Sequence, residues 1–154
     1  MILDPDTDLS FTRQINAPVA LLWQCWTTPE HIKNFFVPRP HTVETCEIDL
    51  QVGGRFNTTF NLGGQMIENN GVYLEVIPEK RLAFTDGYAE GWKPAPDPFM
   101  TAILDFADTG AGGTTYTATA RHRSVEACKR HADMGFFDGW GTVAKQLETY
   151  AKSL

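Results

Sequence analysis

The stretch that most constrains this chain is its last segment, from about Ser124 to Leu154. There Phe136, Trp140, Val143, Leu147, Tyr150 and Leu154 recur at spacings of three and four, which is one face of a helix. Asp133, Asp138, Lys145, Glu148 and Lys152 fall on the other faces. The spacing predicts one long amphipathic helix with Ser124 as its N-cap. At 1.5 Å per residue it would be roughly 45 Å long, and it must lie across a surface of similar length to cover its apolar stripe.

The chain upstream reads as that surface. Leu9 to Ile15 alternates as a first strand. The period then changes, and Pro18 followed by Val19, Leu22, Trp23 and Trp26 predicts a short helix with proline in its first turn. Thr28, Pro29 and Glu30 start a second short helix through about Asn34. From Thr42 on, strands alternate with turns at Gly53-Gly54, Gly63-Gly64, Pro78 to Lys80 and Asp108 to Gly113. The strand from Gln65 to Ile77 is expected to bulge near Asn69 to Gly71. Gly87 to Pro98, with three prolines, reads as an exposed loop.

The order is therefore a strand, two short helices, six strands in hairpins and one long helix. This is an α+β chain whose curved antiparallel sheet of about six or seven strands has one face covered by the C-terminal helix. No repeat or linker divides residues 1–154, and that length fits one domain. A single helix on a twisted sheet leaves space at the ends of the contact, so a cavity is expected.

Several residues are candidates for its wall. Phe136 and Trp140 lie on the helix stripe, where core packing is the default and a cavity wall the alternative. Phe56, Thr58 and Phe60 share one strand face, and Phe106, Tyr116 and His122 also fall on positions expected to face the helix. Trp26 sits beside the break between the two short helices, at a possible rim. Trp92, in the irregular loop, either plugs one end of the sheet or acts as a lid. Gly135, Gly139 and Gly141 each weaken a helix by about 0.5–1 kcal/mol. Close packing of the helix is the default explanation, and opening the cavity or freeing the helix end is the alternative.

Composition narrows the function. A formal net charge of -6, with no basic run, argues against nucleic acid and anionic membrane surfaces as partners. No apolar stretch is long enough to span a bilayer, and the acidic start lacks the pattern of a secretory signal. Three scattered cysteines without a CxxC fit free thiols in a cytoplasmic protein. The four histidines offer no metal-ligand spacing, and there is no nucleophile elbow, phosphate loop or dinucleotide fingerprint. Neither a metal nor a cofactor is expected.

Five motifs carry a family resemblance. They are Ile15-Asn16-Ala17-Pro18 with Leu22-Trp23, Trp26-Thr27-Thr28-Pro29-Glu30, Val52-Gly53-Gly54-Arg55-Phe56, Pro78-Glu79-Lys80-Arg81-Leu82-Ala83-Phe84-Thr85, and Met134-Gly135-Phe136-Phe137-Asp138-Gly139-Trp140. In this order they resemble the helix-grip fold of the START and Bet v 1 (SRPBCC) superfamily. The nearest branch resembles the C-terminal domain of the activator of Hsp90 ATPase, in its single-domain bacterial form.

The resemblance implies a small apolar ligand, aromatic, acyl or polyketide-like, held between sheet and helix. The alternative is an enzyme of the cyclase or hydratase kind, moving a proton with His122 or a strand carboxylate. A co-chaperone or other protein-interaction role ranks last, because the eukaryotic co-chaperone has a separate Hsp90-binding domain for which this sequence has no counterpart. A homodimer is compatible with the sequence.

Overall fold

The computed structural model describes all residues from Met1 to Leu154. Strand β1 (Asp8–Ile15) leads into α1 (Val19–Thr27) and α2 (Pro29–Ile32). Next come β2 (Thr42–Ile48), β3 (Arg55–Leu62), β4 (Gln65–Ile77) and β5 (Arg81–Thr85). A small hairpin, β6 (Tyr88–Ala89) and β7 (Lys93–Pro94), lies within the proline-rich loop. Strands β8 (Thr101–Asp108) and β9 (Thr114–Arg121) precede α3 (Val125–Asp133) and α4 (Phe136–Lys152).

Seven strands form one antiparallel sheet in the order β1-β9-β8-β5-β4-β3-β2. Alternation along each strand turns one set of side chains toward the helices, so Tyr116, Ala118, Ala120 and, just beyond β9, His122 are all buried. The sheet curls, and α4 lies across its concave face. This is the expected α+β helix-grip architecture, with the two short helices after the first strand.

Two local expectations are corrected. The C-terminal segment is two helices, because Gly135 adopts a left-handed conformation (φ 94°, ψ 46°) that ends α3, and α4 starts afresh at Phe136. Ser124 caps α3 as expected, its Oγ accepting from the Ala127 N–H at 3.1 Å. The irregularity in β4 is displaced too. Pairing with β3 runs unbroken through Asn69, Asn70 and Gly71, and the register shifts between Tyr73 and Glu75, against β5.

Specific polar contacts fix α4. Gln146 Nε2 donates to the Phe35 and Val37 carbonyls at 3.0 and 2.8 Å, and its Oε1 accepts from the Arg39 N–H at 2.9 Å. Glu148 accepts from the Asn16 N–H at 2.6 Å. One end of the helix-sheet interface is closed by Leu22, Trp26, Leu104, Tyr116, Leu147 and Ala151, all essentially inaccessible. The other end, against β3, β4 and β5, is not filled.

Candidate functional site

At that unfilled end lies a cavity of about 460 Å³ that opens to solvent. The sheet contributes Phe56, Thr58, Phe60 and Leu62 of β3, Asn69, Asn70 and Gly71 of β4, and Phe84, Thr85 and Asp86 at the end of β5. Phe36, Val37 and Pro38, leaving α2, form a second wall. Across from the sheet stand His131 of α3, Met134 and Gly135 at the helix break, and Phe136, Gly139, Trp140 and Val143 of α4. The helix break therefore lies on the cavity itself.

Aromatic rings line much of this space. Phe36 stacks on Phe56 at 5.8 Å and meets Phe60 and Trp140 edge-on at 5.5 and 6.3 Å. Phe56 meets Phe84 edge-on at 4.8 Å. Such rings present both faces and edges to an occupant, while their mutual contacts hold them in place.

Gly139 faces this open space. A Cβ added there would meet nothing within 4 Å, and the same holds at Gly141, so neither glycine serves a close helix contact. Packing, the default expectation for these two, is corrected. Gly139 leaves room in the cavity, and Gly135 supplies the left-handed turn.

Five of the ten site candidates meet at the cavity: Phe56, Thr58, Phe60, Phe136 and Trp140. The other five do not line it. Trp26 is fully buried one layer behind, edge-on to Phe35 and Phe36 at 5.0 and 5.1 Å. Phe106 and Tyr116 belong to the filled end, where Phe106 packs edge-on against Trp23 at 5.9 Å. Trp92 is half exposed on the outer surface, its indole over Gly53 and edge-on to Tyr88 at 5.7 Å, and has no place on the wall.

His122 is buried but has both nitrogens engaged. Its Nδ1 donates to the Thr7 carbonyl at 2.9 Å, and its Nε2 lies 2.9 Å from Nδ1 of His131. His131 is the histidine that reaches the cavity. Burial, and then the neighbouring His122, lower its pKa from 6.5 to about 4, so it is neutral near pH 7. His131 was missed in the sequence because the two rings sit nine positions apart with no motif. A weak signal existed: Ala127 and His131 are i and i+4 on the buried face of α3.

Three other polar side chains at the cavity, Asp86, Thr85 and Thr58, are already hydrogen-bonded within the protein. Both Asp86 oxygens accept from the Phe99 N–H at 2.9 and 2.8 Å, and Oδ1 also accepts from Met100 N–H at 3.0 Å. Thr85 Oγ1 donates to the Met100 carbonyl at 3.2 Å. Thr58 Oγ1 accepts from Asn69 Nδ2 at 3.3 Å. The lining contains no Lys or Arg.

Burial raises the thiol pKa of Cys25 to about 11 and of Cys46 to about 12, which keeps both in the unreactive protonated form. No cluster of three His, Cys, Asp or Glu side chains is placed to hold a metal. No helix is long and apolar enough to cross a membrane.

Known proteins share this architecture. The chain is similar to a Nitrosomonas europaea protein of known crystal structure, with 39% identity and a TM-score of 0.95 over 98% of this chain and 97% of that one. It is also similar to a Mycobacterium smegmatis protein, with 27% identity and a TM-score of 0.79 over 95% of this chain and 91% of that one. An AHSA1-like protein from Aeromonas hydrophila, 17% identical with a TM-score of 0.69, covers 94% of this chain with 93% of its own and shares the fold. Among curated proteins, none matches the chain. The family model described as Activator of Hsp90 ATPase homolog 1-like protein matches residues 16–152, and the chain belongs to that family.

Proposed function

We propose that the protein binds one apolar small molecule, aromatic or acyl in character, in the cavity between β3–β5 and the first half of α4. The observation that carries this reading is the 460 Å³ space with aromatic walls, bordered by Gly139, where an added Cβ would meet no neighbour. Small-molecule sites are characteristically concave, apolar and furnished with a few fixed polar groups. Here those groups are His131, Thr58 and Asp86.

A catalytic reading through His122 has less support, since that ring offers no free nitrogen to a substrate. His131, with its pKa near 4, is a weak base at neutral pH. Binding without turnover is the better fit.

The test is a thermal-shift panel of flat aromatics, fatty acids and polyketide-like compounds on the native protein and on Gly139→Leu, which projects an isobutyl group into the cavity from its helix side. Ligand at a hundredfold excess over its Kd adds about 2.7 kcal/mol, roughly 5–10 °C in a domain of this size. A shift for one compound class, lost in Gly139→Leu, supports the reading. No shift for any class, or a shift unchanged in the variant, refutes it.

A further inference from the structure

The two histidines also bear on the chemistry of the occupant. A carbonyl oxygen can only accept, so Nδ1 of His122 carries the hydrogen in its contact with Thr7. A His122 ring that carries a single hydrogen has it on Nδ1, so its Nε2 accepts from His131, which places the hydrogen of His131 on Nδ1. Nε2 of His131 is left with a free lone pair and no partner in the protein. The backbone of the N-terminal segment thus sets, through two rings, the tautomer of a cavity-lining side chain.

From this geometry we propose that Nε2 of His131 is the polar anchor of the cavity, accepting a hydrogen bond from a neutral apolar ligand that carries a hydroxyl or N–H group. The proposal rests on the cavity-binding reading and narrows it to a ligand class. An anionic head group fits poorly, because the lining offers no Lys or Arg and the lone pair of His131 would repel a carboxylate. Asp86 and Thr85 are weaker rivals for the ligand's hydrogen, since Asp86 already accepts from the Phe99 and Met100 N–H groups and Thr85 Oγ1 from the Gly87 N–H and Thr101 Oγ1. Phe99, tilted over His131 at 4.6 Å, and Phe136, edge-on at 5.2 Å, brace the ring in this orientation.

Three matched probes test it by calorimetric titration: 2-naphthol, 2-methoxynaphthalene and 2-naphthoate. The expected order in the native protein is naphthol first, with the ether about tenfold weaker for want of the donor and the naphthoate weaker still. In His131→Phe the naphthol should fall to the affinity of the ether, and the affinity of the ether should stay unchanged. Equal binding of naphthol and ether by the native protein, or a naphthol preference that survives in His131→Phe, overturns the anchor and leaves the cavity reading standing. No binding of any probe, together with a failed thermal-shift panel, overturns both.

Nitrogen NMR of histidine-labelled native protein at neutral pH provides a check that needs no variant. Both rings should be protonated at Nδ1, with Nε2 of His131 bare and shifting on naphthol addition. A hydrogen on Nε2 of His131 overturns the proposal.

Discussion

Replacing Gly139 by alanine should make the protein more stable. Gly139 has no left-handed torsion, lies inside α4, and an added Cβ would meet no heavy atom within 4 Å. The substitution therefore keeps the full helix-propensity gain of about 1 kcal/mol and introduces no clash. In a domain of this length that raises the midpoint by roughly 2–4 °C. Gly141→Ala should gain a similar amount for the same reason, and because Gly141 does not line the cavity it should leave ligand binding untouched. Gly139→Leu goes further, placing an isobutyl group in the 460 Å³ space and abolishing any ligand-induced shift. Calorimetric melting of the three variants, with and without ligand, separates helix propensity from cavity volume. A loss of 1 kcal/mol or more in Gly139→Ala would refute the reasoning, because it would mean that the space beside Gly139 is already filled.

Other perturbations follow from the same geometry. Gly135→Ala forces a left-handed torsion on a residue with a Cβ and should cost about 1 kcal/mol, read as a lowered urea midpoint; an unchanged midpoint would argue for a continuous helix. Gln146→Ala leaves the buried Phe35 and Val37 carbonyls without their donor and should destabilise by about 1–3 kcal/mol in the same assay. His131, whose pKa falls from 6.5 to about 4 on folding, takes up its proton more readily in the unfolded chain. Its contribution is therefore fully present above pH 6.5 and is lost as the pH falls through 4, about 3–4 kcal/mol in all at roughly 1.4 kcal/mol per unit. Urea melts from pH 7 to pH 4 should show this loss, and its slope should flatten in His131→Phe.

The elements were legible because their periods are local. Strand alternation located β3, β5, β8 and β9 and their inward faces, and the three-four stripe located α4. The break at Gly135 was not legible, since a glycine inside a helical pattern reads the same whether it packs closely or turns left-handed. Five candidates on the walls were found by parity or stripe. Parity, however, reports only which face a residue takes, so it could not separate Phe106 and Tyr116, in the filled end, from Phe56 and Phe60, in the open one. That division depends on where α1 lies along the sheet, a tertiary fact. The His122–His131 contact joins the residue after β9 to α3, and the wall formed by Phe36 to Pro38 comes from an irregular segment without a period.

The most direct test of the central claim is an isotope-filtered NOE experiment on the native protein saturated with 2-naphthol. Binding between sheet and helix predicts contacts from the ligand protons to the rings of Phe60, Phe136 and Trp140. Contacts instead to Tyr88 and Trp92, the exposed aromatic pair on the outer hairpin, would show that flat apolar molecules merely adhere to the surface and would contradict the account.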